Sequence, residues 1–241
     1  MLRRKISIVH AKSKNILILN LKGGVGKSTL AVNLTSKLCL ARQRVELIDS
    51  DKQGSSYSWA KNIEQISAQH INFNFRSYSH IASSVKVDKD AQYIIIDSPA
   101  NMDDSQIKKY LMVADFVLIP LQPSPVDLHT SLPFIEKVIA NLATISNKKV
   151  QIGFVINRCT EHNPQVEKIT KLLSLFKQYQ TLGLMSDSYL YQEPFQNTAL
   201  NEITLDTELW TNVFNWLGLN SSKSTIMQFP SILSRYLQYN Q

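Results

Sequence analysis

The chain has 241 residues, a formal charge of +7 and 44% hydrophobic residues. That is enough apolar content for one large α/β domain or two small ones; no apolar run approaches the roughly 18–20 residues of a membrane span, and the N-terminal apolar patch of about four or five residues is too short for the about 7–15 of a signal-peptide core. Cys39 and Cys159 stand far apart with no CxxC spacing, a pattern of two free thiols in a reducing cytoplasm rather than of a disulfide framework.

In chain order, "NILILNL" (15–21), "VELID" (45–49), "INFNF" (71–75), "YIIID" (93–97), "FVLIPL" (116–121) and "VQIGFVIN" (150–157) read as strands. Most are nearly continuous apolar runs, as strands covered on both faces are. Helices are expected between them at Ser28–Ala41, Ser55–Gln69, Asp103–Val113, Asp127–Ile145 and Pro164–Tyr179. A later one spans 206–219, started by an Asp206 cap and stopped near Gly218. Regular β–α alternation implies an α/β fold with a doubly wound, mostly parallel sheet and helices on both faces. No repeat or linker divides the chain, so a single domain over 1–241 is expected. Asn220–Thr225 reads as a loop, with a short terminal helix after Pro230.

Charge is unevenly placed: residues 1–44 hold ten Lys/Arg and no Asp or Glu. In their midst lies "NLKGGVGKST". A strand, a glycine-rich turn and a helix follow one another here, the context in which backbone N–H groups and a helix N-terminus bind phosphate. Lys27 is placed to reach the β- and γ-phosphates, Ser28 to coordinate Mg²⁺ and Thr29 to hold the α-phosphate. The strict G-x-x-x-x-G-K-[ST] pattern fails at its first position, which is Leu21. What stands instead, Lys22-Gly23-Gly24-Val25-Gly26-Lys27-Ser28-Thr29, resembles the deviant Walker A motif of the ParA/MinD family of ATPases. By that resemblance Lys22 crosses to the nucleotide of a partner subunit in an ATP-bound homodimer, while Lys27 acts within its own chain.

Other stations fit the same resemblance. "VELIDSDKQGSS" is similar to the family's D-x-D-P-Q-G-S motif, with Lys52 in place of proline. Asp51 is then the residue that orients the attacking water, and Asp49 supports the Mg²⁺ shell. "YIIIDSPA" has the form of a Walker B strand that delivers Asp97 toward Mg²⁺. "IPLQPSP" (119–125) resembles a segment of small ParA-type partition ATPases, and its three prolines read as a stiff loop that is neither helix nor central strand. "GFVINR" ends a strand whose Asn157 and Arg158 are candidates for the adenine edge.

The resemblance is to short ParA-type proteins, without an N-terminal helix-turn-helix extension. It implies a weak Mg-dependent ATPase that dimerises on ATP, binds nonspecific DNA and is released by a ParB-like or other adaptor. The implied location is cytoplasmic and nucleoid-associated, and the implied role is segregation of a plasmid or chromosome region. A MinD-like membrane cycle is the alternative, disfavoured because "SILSRYLQYNQ" offers a single Arg on its helical face. Lys108, Lys109, Lys168 and Lys171 are candidate phosphate contacts on predicted helices. Cys39 is misplaced for a cluster-binding reductase.

Overall fold

The computed structural model describes residues 4–72, 75–145, 149–160, 162–196, 199–200 and 202–219. The predicted loop at 220–225 and the helix after Pro230 lie outside them. In chain order the elements are β1 (Lys5–Ser7), β2 (Lys14–Ile18), α1 (Lys27–Leu40), β3 (Val45–Asp49), α2 (Ser55–Ala60), β4 (Ser67–His70), α3 (Tyr78–Ser84) and β5 (Lys86–Asp88). They continue with β6 (Tyr93–Asp97), α4 (Asp104–Val113), β7 (Phe116–Leu121), α5 (Pro125–Ala143), β8 (Gln151–Cys159), α6 (Gln165–Leu173), β9 (Gln180–Ser186) and α7 (Thr207–Trp216). Seven strands form one sheet in the order β4-β3-β6-β2-β7-β8-β9, every neighbouring pair parallel.

Alternate residues of each strand enter opposite cores. Ile16 and Ile18 join Leu47, Ile95, Leu118 and Val155 under α1 and α7. Leu17 and Leu19 join Ile48, Ile94, Ile96, Val117 and Phe154 under α4, α5 and α6. Both faces are therefore apolar, and the sheet is doubly wound as expected. Two helix starts are set by their own side chains. Asp103 and Gln106 form a reciprocal capping box on α4, and Ser124 caps α5 with Pro125 in its first turn.

Several expectations change. The helix expected over 55–69 ends at Ala60, and the strand expected at 71–75 is instead β4 at Ser67–His70. β4 is a partly exposed edge strand, so it lacks the continuous apolar run that marks a covered one. β9, the opposite edge, was not expected. Its Gly183 weakens the strand pattern, yet a Cβ there would lie 3.1 Å from the Leu209 Cα, so α7 packs directly on that glycine. The small antiparallel pair β1–β5 is too short to show a period. Finally, Pro120 lies inside central strand β7 and Pro125 inside α5. Pro120 is tolerated because its nitrogen faces the β2 side, where β2 has already ended at Ile18. Its carbonyl accepts the Asn20 amide at 2.8 Å instead.

Glu46 on β3 is fully buried and holds the small sheet to the large one. Its carboxylate accepts from Lys5 Nζ at 2.6 Å and the Asp88 N–H at 2.5 Å, and from the Gln69 amide. Glu46→Ala leaves these donors without their acceptor. It should lower stability by about 2–4 kcal/mol, seen as a lower urea midpoint at unchanged slope. An unchanged midpoint would show that Glu46 is not the anchor.

Candidate nucleotide site

The sheet brings the predicted stations to one edge. Asp97 at the end of β6 is in register with Ile18 of β2 on one side and Asp49 of β3 on the other. The glycine loop, the Asp49–Gly54 turn and Asp97 therefore share the carboxyl edge, where a doubly wound sheet binds its ligands. β7 and β8 bring Gln122 and Asn157 to the same edge.

The loop is curled and braced. Gly26 begins α1 at φ 95°, and a Cβ there would fall 2.1 Å from Asn157 Nδ2. No other residue fits this position. Asn157 Nδ2 donates to the Val25 carbonyl at 2.8 Å and Gln122 Nε2 to that of Gly24 at 3.1 Å. Lys27 folds back inside the loop, its ammonium donating to the Lys22 carbonyl at 2.9 Å. It is 7% exposed. Burial lowers its pKa, while Asp97 and Asp51 act in the opposite sense. Lys22 points elsewhere, to a 2.7 Å ion pair with the buried Asp127 on α5. The two lysines are thus separated in space as well as in sequence.

The three carboxylates occupy different environments. Asp49 is fully buried, and its two oxygens accept the N–H groups of Asp51 at 3.0 Å and Tyr57 at 2.9 Å. It organises the turn and the start of α2. Asp51 is half-exposed and accepts the Gln53 N–H at 3.0 Å. Asp97 is fully buried. Ser56 donates to its Oδ2 at 2.9 Å, and its Oδ1 has no hydrogen-bond partner. Burial and the neighbouring Asp49 raise its pKa to about 7, against the stabilising Ser28 and Ser56 hydroxyls and Lys27. An orphaned buried oxygen beside Ser28 fits the shell of a divalent cation. Among the described residues no three His, Cys, Asp or Glu side chains gather as a metal site. A cation here would draw few protein oxygens and depend on phosphate for the rest, as Mg²⁺ does.

Beside Thr29 opens a cavity of about 300 Å³, lined by Asn157, Arg158 and the segment Ser186–Ser188, with Tyr191 and Gln192. Asn157 and Arg158, expected at the adenine edge, line this cavity. The Asn157 amide is already engaged with the loop, and its Oδ1 accepts the Arg158 N–H at 2.9 Å. The opposite wall was missed from sequence because β9 was missed. That wall is set by Asp206, which was expected to cap α7. Its carboxylate instead accepts from the Ser186 N–H and hydroxyl, both at 2.7 Å, and from the Tyr191 hydroxyl at 2.7 Å.

The family described as the CobQ/CobB/MinD/ParA nucleotide binding domain matches residues 16–194. The chain belongs to that family. Maintenance of carboxysome distribution protein A of Halothiobacillus neapolitanus is 28% identical over 148 residues, 61% of this chain and 67% of its own length. The structure of a Cyanothece McdA variant with ATP superposes with a TM-score of 0.69 at 17% identity, over 90% of this chain and 100% of that one. A plasmid partition protein of Borrelia burgdorferi bound to AMPPNP superposes at 0.64 and 21% identity, over 86% and 99%. These superpositions establish the fold. The family's proteins are ATPases, and both solved neighbours hold ATP or an analogue of it.

Because the Asp97 pKa is raised from 3.8 to about 7, its carboxyl favours folding at low pH, and that contribution is lost as pH rises through about 7. Nucleotide-free Asp97→Asn should therefore melt above the wild type at about pH 8, with the gap narrowing steadily below about pH 7 and closing near about pH 4. The same change should remove any extra stabilisation that Mg²⁺ adds to ATP. Thermal scans at both pH values check this, and a variant less stable at the higher pH would contradict it.

Proposed function

We propose that this chain is an ATP-driven positioning ATPase that works as an ATP-dependent homodimer on nonspecific DNA, released when an adaptor stimulates hydrolysis. The observation that carries the reading is the divergence of the two lysines. Lys27 lies inside its own loop, where a triphosphate would sit, and Lys22 is held outside it by Asp127. Lys22 is free to serve a second site once that ion pair opens. Gly23, Gly24, Val25 and Gly26 supply the phosphate cradle, and Ser28 and Thr29 continue it. The cavity beyond Thr29, with Asn157 and Arg158, takes the adenosine.

Ser28 and Asp97 would hold Mg²⁺, with Asp49 supporting them from the second layer. When bound, the ion neutralises charge on the β- and γ-phosphates. Asp51 positions the attacking water. Its half-exposed carboxylate stands near Lys27 on the open side of the site. The cargo in this reading is a plasmid or chromosome region. The name of the Halothiobacillus relative favours a second reading, a non-DNA body carried by the same engine. No described helix is long and apolar enough to cross a membrane.

Lys27→Ala should abolish ATP binding in calorimetry, because it removes a cation that no neighbour replaces. Lys22→Ala should bind ATP as a monomer without turnover. Asp51→Ala should bind ATP and accumulate as dimer in light scattering. Nucleotide binding lost in all three would point to a folding role for these residues instead.

DNA contact draws on fewer cations than the formal charge suggests. Of the basic residues in 1–44, Lys5, Lys14, Lys22, Lys27 and Lys37 have internal partners. On α6, Lys171 pairs with Glu167 at 2.6 Å and Lys168 stands exposed. With ATP, log affinity for any duplex should fall linearly with log salt by about 0.9 per phosphate contact. Lys168→Glu with Lys171→Glu should flatten that slope and leave ATP binding intact. Gel shifts that ignore the nucleotide state would count against a switch. ATP-dependent sedimentation with anionic vesicles, in the absence of DNA binding, would favour a membrane cycle.

A further inference from the structure

Residues Asp51–Gly54 form a β-turn closed by the Gly54 N–H donating to the Asp51 carbonyl at 3.1 Å. Asp51 occupies the first position, and its side chain accepts the Gln53 N–H, as Asp does at that place. The second position of such a turn favours proline, which fixes φ near the value the turn requires. This chain has Lys52 there. A half-exposed turn without that constraint has one backbone bond to hold the peptide that aims Asp51.

The structure supplies a second hold from a different element. His70, at the end of edge strand β4, is in register with Asp49 of β3. Its Nε2 lies 2.7 Å from the same Asp51 carbonyl. A carbonyl only accepts, so Nε2 carries the proton. The ring lies against Gly54, 3.4 Å from where a Cβ would stand, and stacks on Tyr57 with centroids 5.8 Å apart and planes 22° from parallel. The next N–H, of Ile71, donates to the Asp49 carbonyl at 2.9 Å. The imidazole is therefore clamped between the turn and α2, on a strand whose register is fixed by the backbone.

We infer that His70 is a positioning residue for ATP hydrolysis, locking the Asp51 turn in place of the proline that the turn would otherwise use. It acts through the Asp51 carbonyl. The inference rests on the proposed role of Asp51, and the experiment separates the two.

Single-turnover hydrolysis, ATP affinity and melting temperature are compared for the wild type, Asp51→Ala, His70→Ala, His70→Gln and His70→Ala combined with Lys52→Pro. Loss of one aligning hydrogen bond should slow hydrolysis about three- to tenfold in His70→Ala, with ATP affinity and melting temperature unchanged. His70→Gln keeps an N–H donor and should recover most of the rate. Lys52→Pro should restore the rate in the His70→Ala background, because it stiffens the same turn by another route. A merely structural histidine would lower melting temperature and affinity together and gain nothing in rate from the proline. A wild-type rate in His70→Ala, with Asp51→Ala inactive, overturns the inference. So does a lost rate that neither His70→Gln nor the proline recovers. Wild-type turnover in Asp51→Ala would instead remove the role of Asp51 itself, and this inference with it.

Discussion

An ammonium group held beneath its own backbone loop sets the terms for this site. Lys27 cannot be shed to solvent, because the loop closes over it through the Lys22 carbonyl, and Asn157 and Gln122 pin that loop from β8 and β7. A buried cation demands negative charge nearby. Asp97 and Asp51 answer it electrostatically. Yet Asp97 is fully buried beside Asp49, and its own ionisation is disfavoured for that reason. The cluster is therefore unfinished without a ligand. In the proposed reading, phosphate oxygens would complete Lys27 and the loop N–H groups, and a divalent ion would complete Asp97.

The second lysine follows a different balance. Asp127 is nearly fully buried, and besides Lys22 its carboxylate takes the Ser124 hydroxyl at 2.5 Å. Withdrawing Lys22 strips a buried carboxylate of its counter-charge, which is costly. Lys22 itself is partly exposed, so its own desolvation weighs little. The ion pair thus opens only for an acceptor stronger than one carboxylate. In the proposed dimer, a triphosphate in a facing site would have that strength, and the resting pair would keep the lysine from weaker anions in the meantime.

The chemistry of the site was legible in the sequence to a greater degree than its walls. Covered strands β2, β3, β6, β7 and β8 are buried on both faces, and that burial forces the unbroken apolar runs that betray them. β3 and β6 end in Asp49 and Asp97, and β8 carries Asn157 close to its end, so these three could be placed from the sequence. Edge strands obey no such rule. β4 and β9 are half-exposed, and with them went His70 and the cavity wall at Ser186–Ser188. Pro120 misled for a related reason. Proline is excluded from a strand by the partner its nitrogen would face, and that partner strand had already ended. Asp206 looked like a cap by position, but position cannot show that Ser186 and Tyr191 compete for its carboxylate.

Charge is the quantity for which sequence and structure part most widely. The basic excess before residue 45 looks like a ready polyanion surface, and half of it is turned inward. Lys14 and Lys37 reach the carbonyls of Leu217 and Ile203, tying the sheet and α1 to the C-terminal part of the fold. Lys5 serves Glu46. Among the described residues, what remains exposed in that region besides the paired Lys5 is Arg4, Lys12, Arg42 and Arg44, a thin set for one protomer. Salt-dependent affinity grows with the number of phosphates contacted, so a thin set binds weakly. Two protomers joined through nucleotide double that number at no change in either surface, and the second set acts at high effective concentration. A dimer formed on ATP would then hold DNA where the monomer does not, without any rearrangement of the contacting residues. For the proposed switch, a modest free charge on the protomer would be a requirement, since a more basic surface would bind in either state.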